Sequence, residues 1–449
     1  MNHATDRIGT EGIGKLLVTF SVPAIIGMIV NAVYSITDRI FVGQGVNHLG
    51  IAAITVTMPI LFVIMAASML IGIGSNSLFS IRLGEGKRNE VENIMGHAFV
   101  LLLFVPGFFI ILILAFLPFI LTNILSVSAE LYPYAESYLR INMYGAVFFA
   151  MGPGINHFIR SDGHPKTSML TQILGAAVNI VLDAIFIFVF DWGIEGAAWA
   201  TVIAQFVSFL WVMYYFNSRH TALRFRWRKL HFDFALSRRI MAIGFAPAAM
   251  QLAIGFVNVL LNNQLFKFGG DIAVASVGIA YSIFIMVWMP LQGIGAGMQP
   301  IIGYNYGAKK LERVKRAFKL AVFGGTCYVF FMFLAIRIFP DFLISLFTQG
   351  ENELQTLGTR ALHICSLMMP LIAFSMLSGG FFQSLGMALK GSFLSLSRQI
   401  IFYIPLLFIL PRFFGLDGVF AAMPAADFCA FAMALVFVSR EFRALSVRS

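Results

Sequence analysis

Residues 16–41 read LLVTFSVPAIIGMIVNAVYSITDRIF, an apolar run that only Asp38 and Arg39 interrupt with charge. A helix needs about 20 apolar residues to cross a bilayer. A cleavable signal peptide has an apolar core of only about 7–15 residues. The run therefore predicts a membrane span, and its carboxylate lies close to the C-terminal end of that span.

The composition extends this prediction to the whole chain. Of the 449 residues, 59% are apolar and 12% are charged, and the mean hydropathy is +0.85. Soluble domains average about 45–50% apolar and about 25% charged residues, so a water-soluble globule is excluded. Twelve membrane helices of about 20–25 residues would need about 240–300 residues, close to the apolar share of this chain.

Apolar runs bounded by charges or by Gly and Pro predict twelve helices, and the fold class is an all-α integral membrane protein. The approximate bounds are 16–41, 52–81, 94–117, 132–159, 167–190, 195–216, 240–266, 273–303, 317–339, 355–383, 391–410 and 416–439.

The basic residues indicate how these spans are oriented. The chain has 31 Lys and Arg against 21 Asp and Glu, a formal net charge of +10. When the loops are assigned to alternate sides, 24 of the 31 basic residues fall on the side of the N-terminus. The positive-inside rule then predicts a multi-pass protein of the cytoplasmic membrane with both termini in the cytoplasm. Membrane lipids are expected partners and nucleic acid is not.

An internal repeat divides the chain into two halves. The matching pairs, at offsets of 222 to 224 residues, are Pro23 with Pro247, Asp38 with Asn262, Gly84 with Gly307, Gly163 with Gly386, and Gly193 with Gly415. The repeat predicts two pseudo-symmetric six-helix lobes around a central cavity, an arrangement typical of transporters. The predicted domains are an N-terminal lobe (1–216), a basic cytoplasmic linker (217–239) and a C-terminal lobe (240–449). For the linker, contact with anionic headgroups is favoured over a nucleic-acid or regulatory partner.

Three acidic residues lie clearly inside spans, where an ionisable group is costly and calls for a reason. Two of them, Asp38 and Asp183, reach a similar depth at a rise of about 1.5 Å per residue. Asn179 and Thr201 come to the same level, and Asn179 shares a helix face with Asp183. These four residues form an oxygen-rich set that suits a proton or Na⁺; no other metal is expected.

Two carboxylates close together in a medium of low dielectric constant resist ionising at the same time. We therefore expect this pair to exchange a cation. In the alternative interpretation, neighbouring hydroxyls or Arg39 satisfy each aspartate and no ion is exchanged. The candidates for supporting contacts, on the same helix faces, are Asn31, Tyr34 and Gln205.

The second half carries different polar groups. Arg398 and the third intramembrane acid, Asp427, fall at similar depths on adjacent antiparallel spans, which predicts a structural ion pair. Methionine and aromatic side chains adapt to varied shapes and attract cations, so some of them are expected to line a substrate cavity. The candidates for that cavity are Met286, Trp288, Met289, Asn258 and Asn262.

Taken together, these features resemble the multidrug and toxic compound extrusion (MATE) transporters. The resemblance covers essentially the whole chain and includes Pro23 and Asp38, the Gly84-Glu-Gly-Lys87 loop, its counterpart Tyr304-Asn-Tyr-Gly307, and the Asn179/Asp183 pair. The absence of acidic residues from spans 7 and 10 favours the DinF/MepA-like branch.

The resemblance implies a secondary active antiporter, not an enzyme and without a cofactor. It would export organic cations or other amphiphilic drugs in exchange for H⁺ or Na⁺ by alternating access of two lobes. The cation site of the family falls on Asp38, Asn179, Asp183 and Thr201. We expect a monomer. The alternatives are a flippase for a lipid-linked oligosaccharide, an integral-membrane enzyme, and a passive channel; no metal spacing or nucleophile motif supports an enzyme.

Overall fold

The computed structural model describes residues 3–46, 48–218, 233–345 and 352–448. Within these ranges the secondary structure consists of helices and their connections, with no strand. Most of the predicted basic linker, residues 219–232, lies outside the described residues. The fold confirms the prediction of an all-α protein.

The part of the N-terminal half that the structure describes contains eight helices. They are α1 (His3–Thr10), α2 (Ile13–Gly45), α3 (His48–Gly84), α4 (Arg88–Ala115), α5 (Leu117–Phe119), α6 (Tyr132–Ser161), α7 (Pro165–Asp183) and α8 (Gly193–Asn217). A wider π-helical turn follows α5 at Ile120–Ile124, and another follows α7 at Ala184–Val189.

The described residues of the C-terminal half form eight more helical ranges. They are α9 (Phe234–Gly307), α10 (Leu311–Ile338), α11 (Pro340–Ser345), α12 (Asn352–Cys365), α13 (Met369–Ser384), α14 (Ala388–Leu396), α15 (Ile404–Ile409) and α16 (Pro411–Arg448). A π-helical segment, Ser397–Tyr403, connects α14 to α15. Two of these ranges each contain two helices that meet at a glycine with non-helical backbone: α9 at Gly270, with a φ of 63°, and α16 at Gly415, with a φ of 56°.

Nine helices of the described chain are long and apolar enough to cross a membrane. Helices α12 and α13 form a further candidate span that is bent by 53°. If α9 is counted as two spans that meet at Gly270, and the 30-residue α6 is added, the described helices accommodate the twelve spans that the sequence predicts. The protein is therefore a multi-pass helical membrane protein.

Related turns end equivalent helices in the two halves. At the end of α6, Gly163 has a φ of 93°, and the N–H of His164 donates to the carbonyl of Ile159 at 3.2 Å. Just after α13, Gly386 has a φ of 72°, and the N–H of Met387 donates to the carbonyl of Phe382 at 2.9 Å. Glycine is favoured at both positions because a left-handed residue closes the helix and pairs its last carbonyls.

Both chain termini lie at one end of the bundle, which we name the terminal face. Near the start of the chain, the carbonyl of Ile8 accepts a bond from Asn305 Nδ2 at 3.1 Å. Near its end, Ser446 Oγ accepts one from Lys315 Nζ at 2.7 Å. Asn305 and Lys315 flank the turn between α9 and α10, so the two ends of the chain meet at the same face. We name the opposite end the distal face.

The two halves exchange core residues near the terminal face. Buried side chains at the start of α2, Ile13 to Phe20, belong to the apolar core of the C-terminal half. Reciprocally, Ile240 and Ile243 near the start of α9 are buried in the core of the N-terminal half. The first span of each half is therefore anchored in the other half at this end.

Glycines allow the closest approach between the halves. A Cβ atom on Gly244 of α9 would overlap the backbone carbonyl of Leu70 on α3, and one on Gly74 would overlap the carbonyl of Ile240. The same holds for Gly84 against the carbonyl of Tyr304. We name this contact of α2 and α3 with α9 the seam. These glycine contacts all lie in the part of the bundle near the terminal face.

Candidate functional site

Four polar side chains of the N-terminal half come from three helices that contact one another. Asp38 is on α2, Asn179 and Asp183 are on α7, and Thr201 is on α8. Asp183 is the last residue of α7 before the chain widens into the π-helical turn Ala184–Val189. Such turns are frequent at functional sites because they change the direction in which side chains point.

These side chains are close enough to interact. The carboxyl groups of Asp38 and Asp183 lie within reach of a shared hydrogen bond. In the orientation that satisfies its neighbours, the Asn179 amide nitrogen donates to Asp183 Oδ2 at 3.0 Å, and its oxygen accepts from the Thr201 backbone N–H at 3.3 Å. The structure thus brings together the four residues that the depth estimate places at one level.

Both carboxylates are buried and incompletely satisfied. Asp38 is 9% exposed and Asp183 is 0% exposed. Among the described residues, neither Asp38 Oδ1 nor Asp183 Oδ1 has a hydrogen-bond partner. A buried polar atom without a partner costs about 1–3 kcal/mol, and more when it is charged. A proton or a small cation between the two oxygens would remove that cost.

The donors of this site suit a hard cation and not a transition metal. They are carboxylate, amide and hydroxyl oxygens, the ligands typical of hard cations. In the ranges that the structure describes, no group of three or more His, Cys, Asp or Glu side chains could hold a metal ion. The arrangement is therefore suited to binding and releasing a cation.

Two tyrosines border the carboxylates. Tyr34, one turn before Asp38 on α2, interacts electrostatically with both acids. Tyr138 of α6 does so as well and is only 5% exposed. The sequence does not identify Tyr138, because a single tyrosine in an apolar helix carries no spacing signal. The one sign of a polar face here is Asn142, one turn further on, whose Nδ2 donates to the Tyr138 carbonyl at 2.9 Å.

The other two candidates for supporting contacts lie near the same helices. Asn31 Nδ2 donates to Gln172 Oε1 at 3.2 Å, which connects α2 to α7. Gln205 is half-buried, one turn beyond Thr201 on α8. Asn31 is thus placed on the terminal side of the carboxylates, where it joins the helices that carry them.

In the C-terminal half, Arg398 Nε donates to Asp427 Oδ1 at 2.5 Å. Arg398 belongs to the π-helical segment Ser397–Tyr403, and Asp427 lies on α16. The Asp427 carboxylate is 1% exposed, and its Oδ2 atom has no hydrogen-bond partner in the described chain. This ion pair supplies one full charge of each sign to an otherwise apolar region.

Arg398 of this pair also borders a cavity in the C-terminal half. Aromatic side chains line it, with the Tyr281 and Trp288 rings 5.0 Å apart and nearly perpendicular. Its polar side chains include Asn258, Arg398 and Gln399. The other cavity candidates do not line it: Met286 and Asn262 are exposed, and Met289 is half-buried.

The chain matches the model of a known protein family. The family model described as MatE matches the chain twice, over residues 23–185 and 247–409. The two matches start 224 residues apart, the offset at which Pro23 and Pro247 stand in the sequence.

Curated relatives match over nearly the whole chain. The Multidrug export protein MepA of Staphylococcus haemolyticus (strain JCSC1435) is 28% identical over 438 residues, which cover 96% of this chain and 95% of that protein. MepA of Staphylococcus aureus (strain MSSA476) is 28% identical over 442 residues, 95% of this chain and 94% of that protein.

Solved structures share the fold. One, titled as an outward-facing conformation of a multidrug resistance MATE family transporter of the MOP superfamily, has a TM-score of 0.91 and 24% identity, and 98% of each chain is covered. A crystal structure of MATE in complex with MaL6 has a TM-score of 0.91 and 25% identity, with 99% of this chain and all of that chain covered.

Proposed function

The chain belongs to the MatE family, and on this premise we propose that it exports drug-like organic cations and other amphiphiles in exchange for H⁺ or Na⁺. Family members are transporters and not enzymes. The resemblance inferred from the sequence is thereby confirmed, and the names of the curated relatives support multidrug export. The substrates, the coupling ion and the mechanism are part of the proposal.

One observation supports the proposed coupling of drug export to a cation. Asp38 and Asp183 are buried side by side, and each has an oxygen without a hydrogen-bond partner among the described residues. In the proposed cycle a cation enters between these oxygens from the distal side. The cation would neutralise the carboxylates and let α2 and α7 pack in the arrangement that binds the drug less tightly. Asn179 and Thr201 would complete the coordination.

The seam supports alternating access. In this structure the halves are joined near the terminal face, so the distal end is the one through which the central cavity would open. Together with the excess of basic residues near the termini, this favours a cytoplasmic terminal face and an outward-open conformation. An ion drives the cycle only if it binds the two conformations with different affinity, since equal binding shifts nothing.

The cavity beside Arg398 has a volume of about 50 Å³ in this structure, and it is our candidate for one part of a drug-binding region that widens in another conformation. Trp288 and Tyr281 offer ring faces that attract organic cations. Asn258 offers an amide that can either donate or accept. The pair of Arg398 with Asp427 would keep the region neutral overall, so cationic compounds are not repelled. That Met286, Met289 and Asn262 contact the substrate stays a prediction. They would do so in another conformation of the protein.

The test is transport by the purified protein in lipid vesicles. Uptake of a fluorescent organic cation is measured with an imposed pH gradient and then with an imposed Na⁺ gradient. The proposal predicts accumulation against the concentration gradient with one of the two, which names the coupling ion. Equilibration without any gradient would indicate a passive channel. Absence of uptake with movement of a lipid-linked sugar would favour the flippase alternative.

A further inference from the structure

A basic groove opens on the terminal face between the two halves of the molecule. It lies between the start of α2 and the first turns of α10 and has a volume of about 500 Å³. Five of the side chains that line it are cationic, and one, Glu312, is acidic. The cationic side chains are Lys15, Arg313, Lys315, Arg316 and Lys319.

The carboxylates nearby neutralise only part of this charge. Lys15 pairs with Glu11 at 2.6 Å, and Lys315 pairs with Glu312 at 2.7 Å. Among the described residues, neither Arg316 nor Lys319 has a carboxylate partner, and both side chains are exposed. Arg316 also lies close enough to Arg313 for the two guanidinium groups to repel each other.

The start of α2 adds partial positive charge to the same groove. Its N-cap residue, Gly12, offers no side-chain cap, and its first turn contains no acidic residue. A Cβ atom at Gly12 or at Gly14 would meet nothing within 4 Å, so the backbone at both positions faces open space. The first N–H groups of a helix have no partner within the helix and favour an anion.

Above the groove, both helices present apolar side chains on the face that carries the cations. On α2, Val18 and Val22 follow Lys15 at helical spacing, and Val18 is 63% exposed. On α10, Phe323 lies one turn beyond Lys319 and is 68% exposed. Because α2 and α10 contact each other, these exposed apolar residues lie on the two helices that form the groove, further from the terminal face.

We propose that this groove binds the phosphate of an anionic phospholipid, with the acyl chains along the exposed apolar residues of α2 and α10. The ligand must be amphipathic, because the site is basic at the membrane surface and apolar above it. The proposal rests on α2 and α10 being membrane spans and not on the transported compound. A bound lipid would screen the repulsion between Arg313 and Arg316 and connect the two halves where the seam is closed.

The experiment titrates the purified full-length protein with phosphatidylglycerol or with phosphatidylcholine of the same acyl chains, and native mass spectrometry counts the bound lipids. We expect phosphatidylglycerol to bind more tightly. Arg316→Gln combined with Lys319→Gln should weaken its binding about tenfold, because these two groove cations have no carboxylate partner among the described residues and would meet the phosphate directly. Arg316→Lys with Lys319→Arg should restore it.

The matched control removes two other exposed cations of the terminal face, by Arg440→Gln with Arg443→Gln, and should leave lipid binding unchanged. Circular dichroism shows whether each variant folds, and Arg316→Gln alone replaces the double variant if that one does not. Equal binding of the two lipids by the natural protein would overturn the proposal, and so would unchanged phosphatidylglycerol binding in the groove variant. If inorganic phosphate bound as tightly as phosphatidylglycerol, the ligand would be a free anion and not a lipid.

Discussion

Asp38 and Asp183 are the two residues on which ion coupling is proposed to depend. Substituting either by Asn keeps the shape of the side chain but removes the group that binds a proton or Na⁺. We expect Asp38→Asn and Asp183→Asn each to reduce gradient-driven uptake in vesicles to the level of protein-free vesicles. Expression and folding should be retained, because an amide is less costly to bury than a charge.

The matched control for these variants is Asp191→Asn. Asp191 is exposed in the loop that follows the π-helical turn, only eight positions beyond Asp183. Its left-handed backbone, with a φ of 55°, accepts Asn readily. We expect this variant to transport at the natural rate. Transport at the natural rate by either of the intramembrane variants would contradict the coupling role.

Lys309 allows a residue-scale prediction about stability. It has a φ of 58° in the turn after α9, where the N–H of Lys310 donates to the carbonyl of Asn305 at 2.8 Å. The equivalent turn after α3 has Gly86 at this position, with a φ of 75°. A left-handed conformation costs a non-glycine residue about 1–2 kcal/mol. We expect Lys309→Gly to stabilise the protein by about 1 kcal/mol, after the greater chain entropy of glycine is subtracted.

The measurement is the apparent melting temperature in detergent, which should rise for Lys309→Gly. The reverse comparison uses Gly86→Ala, which should lower it, since nothing else contacts a Cβ at that position within 4 Å. An unchanged or lower melting temperature for Lys309→Gly would show that the strain is relieved elsewhere.

The sequence predicts the depth of the site residues better than their neighbours. A helix rises by a fixed amount per residue, so Asp38, Asn179, Asp183 and Thr201 could be placed at one level from the span starts alone. Which way each helix is rotated depends on packing between helices. The position of Tyr138 beside the carboxylates could not be predicted, because its span contains no polar pattern that marks the face turned towards the site. The coupling role of these residues stays a prediction.

At the scale of the elements, hydropathy underestimates helix length. The second span is predicted at 52–81, whereas α3 covers His48–Gly84. The break predicted between the seventh and eighth spans, at 267–272, is matched by non-helical backbone at Gly270, where φ is 63° and ψ is −161°. Hydropathy detects the part of a helix inside the bilayer, but the helix ends only where a turn satisfies its last carbonyls. Helix α1 was missed because it is short and polar.

The crossing of α3 with α9 makes a prediction about the seam. Gly244 lies so close to the Leu70 carbonyl that any side chain would force the two helices apart. Overpacking of this kind typically costs about 1–3 kcal/mol. We expect Gly244→Ala to lower the apparent melting temperature and to slow transport.

The control for the seam is Gly255→Ala on the same helix. A Cβ atom there would meet nothing within 4 Å, so the change should only improve helix propensity, by about 1 kcal/mol. A melting temperature that rises in both variants would show that the halves do not require close contact at Gly244.

At the scale of the whole molecule, the halves are connected by the reciprocal exchange of their first spans. The start of α2 is buried in the core of the C-terminal half, and the start of α9 in the core of the N-terminal half. The repeat in the sequence predicts two similar halves but not this exchange. Both spans begin as ordinary apolar runs, and hydropathy does not distinguish a side chain buried by its own half from one buried by the other half.

A second connection closes the terminal face. Arg313 of α10 donates to the carbonyls of Ile8 and Glu11, at 3.1 and 2.6 Å, and to Asn305 Oδ1 at 2.8 Å. Lys310 Nζ donates to the carbonyl of Gly9 at 2.7 Å. These cationic donors satisfy carbonyls at the end of α1, which the helix itself leaves without partners. In this structure, in which the seam is closed, they hold the N-terminal segment against the C-terminal half.

Arg313→Gln should therefore shift the protein away from the conformation in which the seam is closed. Hydrogen bonds to a charged group contribute about 1.5–3 kcal/mol each, so losing them should raise the population of the conformation open at the terminal face by about tenfold or more. The reporter is Ser77→Cys in a Cys327→Ser background. Ser77 is fully buried in the seam, where its Oγ accepts a bond from Gln299 Nε2 at 3.0 Å. A thiol reagent should label this cysteine faster when Arg313 is replaced.

Arg238→Gln is the control, because Arg238 is an exposed cation near the start of α9, outside these contacts. The Arg238 variant should be labelled at the same rate as the protein with Arg313 and Arg238 intact. If the Arg313 and Arg238 variants were labelled at equal rates, Arg313 would have no effect on the conformational equilibrium. If labelling increases while Asp38 and Asp183 are intact, the coupling cation should reverse part of the increase. A ligand that binds one conformation more tightly shifts the equilibrium between the closed and open seam by the difference in its binding free energies. Labelling with and without the cation therefore measures the link between the aspartates and the seam directly.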